Sequence, residues 1–94
     1  MSLTILDNKA SIDAAIATMH PIAKESAQLL SHRIFENPQL INDPEGMWSE
    51  LLQSCAFSSR RAGVADEKEF SDFIDNHSQG VLNVAVSIVL FTIK

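Results

Sequence analysis

The stretch that decides the fold class is VLNVAVSIVLFTI, residues 81–93. As a helix, it places Asn83 and Ser87, with Lys94 just beyond, on one narrow polar stripe and leaves the rest apolar. As a strand, it has the valine and isoleucine content of a buried strand. A strand needs a partner, and the only other candidate is the short run at residues 3–6, so the sequence favours a helix.

The residues before this stretch keep the same helical spacing. Asp66 and the acids after it mark a helix start, since negative charge suits the first turn. Ser78-Gln79-Gly80 then forms a potential break, which predicts helices over 66–77 and 80–93. A single continuous helix from Asp66 is the alternative, because one apolar seam crosses Gly80. Its members are Phe70, Ile74, His77, Val81, Val84 and Ile88.

A third helix is predicted over residues 11–36, where apolar residues recur at steps of three and four. Ser11 is the expected N-cap. Pro21 interrupts the run, because proline lacks an amide proton and crowds the preceding turn. The pattern therefore predicts either a kink at Pro21 or a new helix with Pro21 at its first position.

A fourth helix is predicted over residues 44–62. Asp43 followed by Pro44 is a strong start signal, since aspartate caps a helix and proline needs no donor there. Arg60 and Arg61 suit the negative end of the helix dipole. Gly63 is the expected C-cap residue.

The fold class predicted from these patterns is all-α, with three to four antiparallel helices in a single domain over 1–94. The alternative is an α+β fold with residues 81–93 as a buried strand. The expected core consists of Ile12, Ile16, Met19, Ala23, Leu30, Ile34, Met47, Leu51, Leu52, Phe70, Phe73, Ile74, Val84, Ile88 and Val89.

Charge and length narrow the range of partners. Twelve acidic and seven basic residues give a formal net charge of −5, the reverse of the balance that phosphate binding requires. No nucleic-acid partner is therefore expected. The largely apolar stretch at residues 81–93 is thirteen residues long, too short to span a bilayer as a helix, so no membrane association is expected. With one cysteine and no signal-peptide pattern, a cytoplasmic location is predicted.

The residues that could carry chemistry do not form a recognised motif. His20, His32 and His77 are far apart in the sequence and lack metal-ligand spacing. Cys55 lies among apolar neighbours, which predicts a buried structural thiol rather than a nucleophile. The isolated glycines form no phosphate-binding loop. We therefore predict no enzyme, no metal and no cofactor.

The primary functional hypothesis is a small acidic interaction module that forms a homodimer and binds a protein partner. Inhibitors, immunity-like proteins and mobile-element accessory proteins are analogues in size and charge only. A helix that is apolar nearly all round needs cover on several sides, and two other helices are expected to leave part of it bare. The expected self-association surface is Val81, Val89, Phe91 and Ile93.

Two alternative functions remain. One is a binder of a small apolar ligand, in an interhelical pocket lined by Met19, Trp48, Phe57 and Phe73. Trp48 has helical spacing that also suits a core residue, and this interpretation is preferred for it. The other is an enzyme whose histidines meet only across a dimer interface.

Overall fold

A computed structural model describes residues 3–93, which form four α-helices and one short 3₁₀ helix and contain no strand. The prediction of an all-α bundle is confirmed, and the alternative with a strand at residues 81–93 is not supported. The helices are α1 (Lys9–Thr18), α2 (Pro21–Glu36), the 3₁₀ helix (Pro38–Asn42), α3 (Pro44–Arg61) and α4 (Glu67–Ile93).

The first predicted helix is divided rather than kinked. α1 ends before Met19, and α2 begins with Pro21 at its first position. The His20 side chain caps α2, because its Nδ1 accepts a hydrogen bond from the Ile22 amide at 3.1 Å. The predicted N-cap at Ser11 is wrong. Asn8 caps α1 and accepts from the Ser11 amide at 2.8 Å, because Asn8 is an equally good cap and lies far enough upstream to add Lys9 and Ala10 to the helix.

The predicted start of α3 is confirmed, and the helix ends at Arg61, one residue before the predicted end, with Ala62 rather than Gly63 at the C-cap. The Asp43 carboxylate accepts from the Gly46 amide at 3.0 Å. After Arg61, the Gly63 amide donates to the Arg60 carbonyl at 3.0 Å and the Val64 amide donates to the Ser59 carbonyl at 2.9 Å. These two bonds form a Schellman motif, for which Gly63 adopts a φ of +87°.

α4 runs without a break through Gly80, so the continuous alternative is the correct one. It packs against α1, α2 and α3. Among the described helices, α4 alone is long and apolar enough to cross a bilayer by length and composition. The core helix of a soluble bundle can meet the same criteria, and 39% of the most apolar 18-residue stretch of α4 is buried inside the structure.

The core lies where α2 meets α3 and α4. Of the predicted core, Ile12, Ala23, Leu30, Ile34, Met47, Leu51, Val84 and Val89 are buried. The remaining predicted core residues are half-buried at its edge: Ile16, Met19, Leu52, Phe70, Phe73, Ile74 and Ile88. Seven further apolar residues complete the buried set: Ala27, Leu40, Cys55, Val81, Leu82, Ala85 and Val86.

The chain before α1 is extended and lies along α4. The Thr4 amide donates to Asn83 Oδ1 at 3.0 Å, and the Leu6 amide donates to Ser87 Oγ at 2.9 Å. Asn83 and Ser87 are one helical turn apart, so the polar stripe of α4 holds this N-terminal segment (residues 3–8). The stripe therefore faces backbone donors rather than bare solvent.

Candidate functional site

All six aromatic residues of the chain lie outside its fully buried core. Phe35, Trp48, Phe57 and Phe91 are 39%, 37%, 44% and 41% exposed. Phe70 and Phe73 are half-buried. The core instead consists of leucine, isoleucine, valine, alanine, methionine, cysteine and serine side chains. Large aromatic side chains contribute most when buried, so their position at the surface needs an explanation.

The outer face of α3 carries two of these aromatics. Met47, Leu51 and Cys55 form the inward face. Helical geometry places Trp48 and Phe57 at opposite edges of the outward face, about 13 Å apart along the axis. Leu52 is half-buried and lies one turn from Trp48 on the same side. We call Trp48, Leu52 and Phe57 the α3 aromatic face.

At Phe57, one edge of the α3 aromatic face is in contact with the charged side chain of Arg61. The Arg61 guanidinium lies over the Phe57 ring at 5.9 Å from its centroid. Arg61 also forms an ion pair with Glu25 of α2 at 3.0 Å. A second ion pair, Arg33 to Glu50 at 2.7 Å, joins α2 to α3. Because all four charged side chains are partly exposed, these pairs position the helices more than they stabilise them.

Of the predicted self-association surface, only the end of α4 is exposed. Phe91 and Ile93 are 41% and 64% exposed. Val81 and Val89 are 0% and 2% exposed, so the expectation that they would be bare is wrong. The physical reason is that both side chains belong to the core cluster, in which α4 packs against residues of α2 and α3.

The predicted pocket of Met19, Trp48, Phe57 and Phe73 is not assembled. Met19 caps the end of α1 and Phe73 lies on α4 beside His20, whereas Trp48 and Phe57 face outward on opposite edges of α3. The preferred core interpretation of Trp48 is also wrong. The buried face of α3 is centred on Met47 and Leu51. Trp48 follows Met47 directly, and because successive residues of a helix point in different directions, its side chain is turned away from that face.

A different apolar cavity lies between the 3₁₀ helix, α3 and α4. Its volume is about 160 Å³. Every side chain that lines it is apolar, and four of the seven are buried in the core. We call this site the apolar cavity. Its lining is Leu3, Leu40, Ile41, Pro44, Met47, Leu82 and Val86.

Two of the three histidines meet within one chain. The His20 and His77 ring centroids are 5.5 Å apart, and Phe73 lies 6.3 Å from His20 and 5.0 Å from His77. His32 lies elsewhere, on α2. The Nδ1 of His20 is an acceptor for the Ile22 amide, which leaves Nε2 as the protonated nitrogen of the neutral ring. The contacts tie the α1–α2 junction to α4.

Within residues 3–93, no three His, Cys, Asp or Glu side chains converge as a metal site would require. Cys55 is 0% exposed, in agreement with the predicted buried thiol. Burial raises the pKa of the Cys55 thiol above its ordinary value of 9.0, and the Ser26 hydroxyl acts in the opposite direction. A raised pKa disfavours the thiolate that nucleophilic chemistry needs.

These features define a small helical bundle whose exposed functional groups are aromatic and acidic. No protein-family model matches the chain, and comparisons with curated proteins and with solved structures gave no match. Its function must therefore be inferred from its own surface and cavities.

Sequence reasoning missed both the α3 aromatic face and the apolar cavity. The signal for the aromatic face was present, because Trp48 and Phe57 lie nine residues apart, on opposite sides of a helix, and so cannot both face the core. The apolar cavity had no such signal. Its walls come from the N-terminal segment and three separate elements that only the tertiary fold brings together.

Proposed function

We propose that this chain is a protein-interaction module that binds a partner protein through the α3 aromatic face. The observation that carries the proposal is the position of all six aromatic residues outside the buried core. Aromatic side chains are enriched at protein interfaces. They also bury a large area while losing few rotatable bonds.

The chemistry of the face indicates what a partner would offer. Trp48 and Phe57 would enter apolar pockets, as aromatic residues at interface hot spots do. Ser49 and Gln53 lie between them in helical phase and are exposed, so they would supply adaptable hydrogen bonds. With a net charge of −5, the chain would attract a partner whose rim is basic, because complementary charge speeds encounter.

The proposal is tested with a double variant, Trp48→Ala with Phe57→Ala. Because both side chains are more than a third exposed, the variant should lose only about 1 kcal/mol of unfolding free energy per site, rather than the 3–5 kcal/mol of a buried aromatic. Binding to the partner should weaken about 30-fold or more, the effect of losing a hot spot worth 2 kcal/mol or above.

The measurement is quantitative capture from an extract of the source cells, followed by titration of the purified partner. Ser49→Ala with Gln53→Ala is the matched control, since both residues are exposed on the same helix. A partner retained by the wild type and the control but lost by the aromatic variant supports the proposal. Equal capture by all three proteins contradicts it.

Self-association is the second part of the proposed function. The N-terminal segment brings Ile5, 40% exposed, close to the turn of α4 that contains Ser87. Phe91 lies one turn further along the same side of α4. The end of the molecule therefore exposes Ile5, Phe91 and Ile93, and we propose that a second copy of the chain covers them in a two-fold dimer.

A further inference from the structure

The walls of the apolar cavity specify what can occupy it. Leu40, Met47, Leu82 and Val86 are between 1% and 7% exposed and form its buried part. No lining side chain carries a polar group. Water needs two to four polar partners to occupy a cavity stably, so these walls favour an apolar occupant over ordered water.

The volume limits the size of that occupant. A closed, dry cavity of about 150 Å³ lined by aliphatic and aromatic residues accepts a benzene molecule, and this one, which is half open to solvent, measures about 160 Å³. Met47 adds adaptability, because its unbranched thioether chain can adjust to the shape of a ligand. The space therefore suits one aromatic ring or an alkyl chain of similar size.

The N-terminal segment supplies the outer wall. Leu3 lines the cavity and is 46% exposed. The segment is held by the Thr4 and Leu6 amide bonds to Asn83 and Ser87. Two hydrogen bonds with side chains on the polar stripe form a weak attachment, so this wall can open more easily than the helices on the other sides.

We propose that the apolar cavity is a binding site for a free, uncharged apolar molecule with one aromatic ring or a short alkyl chain, and that the N-terminal segment closes over it. This site is separate from the α3 aromatic face. Its occupancy does not depend on any partner protein, so its test and that of the proposed function can fail independently.

The experiment titrates the intact chain with benzene and follows the methyl resonances by nuclear magnetic resonance. The expected result is a saturable shift of the Met47, Leu82 and Val86 methyl signals, with little change at Leu30 and Ile34 deep between the helices. Shifts that rise linearly to the solubility limit of benzene, or that spread evenly over the core, would overturn the proposal.

Leu3→Trp tests the location, because an indole at this exposed position would fill the mouth without disturbing the helices. Asp7→Trp is the matched control, since Asp7 is exposed on the same segment and does not line the cavity. Leu3→Trp should weaken benzene binding at least about tenfold, while Asp7→Trp should change it less than about twofold. Equal affinity in both variants would place benzene elsewhere and overturn the assignment.

Discussion

Buried serines show at the level of single residues why the core was only partly predictable. Ser26 and Ser87 bond to carbonyls one turn back in their helices. The hydroxyls of Ser54, Ser58 and Ser59 are buried and have no hydrogen-bond partner among the described residues. Serine predicts exposure, and nothing local reveals that Ser54, Ser58 and Ser59 are among the buried residues of α3.

The burial of Cys55 was predicted from its apolar neighbours, and this burial has a consequence for stability at high pH. The pKa of the folded thiol is raised above 9.0 by burial, so the folded chain keeps the proton when the unfolded chain releases it. The stabilising contribution is fully present below about pH 9 and is lost as pH rises through the raised pKa. Above pH 9 the free energy of unfolding should therefore fall with a slope that includes Cys55.

This slope can be isolated with Cys55→Ala, which removes the thiol and leaves every lysine in place. Urea unfolding of both proteins at intervals from pH 7 to pH 10 gives the two dependences. The wild type should lose stability faster than the variant between pH 8.5 and pH 10, by up to about 1.4 kcal/mol for each unit by which the pKa is raised. Parallel curves would show that the thiol is ionised as readily in the folded chain as in the unfolded one.

At the level of single helices, the limits could be predicted from the sequence where the local signals were unambiguous. Asp43 with Pro44 and the later Gly63 set the limits of α3, and Pro21 set the start of α2. The break predicted at Gly80 does not occur, because glycine disfavours a helix by only about 1 kcal/mol. Packing of α4 into the core on both sides of Gly80, by Phe73 and Ile74 before it and by Val81 and Val84 after it, outweighs that cost.

Two glycines give opposite predictions for the same substitution. Gly80 is helical and exposed, and a Cβ there would meet nothing within 4 Å. Gly80→Ala should therefore raise the free energy of unfolding by about 0.5–1 kcal/mol. Gly63 has equal space but a φ of +87°, so Gly63→Ala should lower it by about 1–2 kcal/mol.

Thermal or urea unfolding of the two alanine variants measures both effects in one experiment. Each variant serves as the control for the other, because neither substitution creates a steric clash. Equal destabilisation by both would mean that α4 is not continuous through Gly80.

For the whole molecule, the unpredictable quantity was how completely α4 is covered. The helical pattern indicated its apolar sides, but the pattern does not say how many elements surround it. Division at Pro21 produced an additional helix, α1, and the N-terminal segment added a further wall. Val81 and Val89 lie in the core cluster with residues of α2 and α3, so the exposed large apolar side chains of α4 are confined to its C-terminal end.

Because the exposed large apolar side chains of α4 lie only at its C-terminal end, the proposed dimer contact can be tested by substitutions there. If Ile5, Phe91 and Ile93 form the contact, light scattering at high protein concentration should give twice the 10.3 kDa mass of one chain. Phe91→Lys with Ile93→Lys should return the protein to one chain, because two unpaired charges would be placed in an apolar contact. Thr92→Lys is the matched control, since Thr92 is exposed between them, and it should weaken the dimer far less. A wild-type mass near 10.3 kDa at every concentration would contradict self-association and leave the α3 aromatic face as the only proposed protein contact.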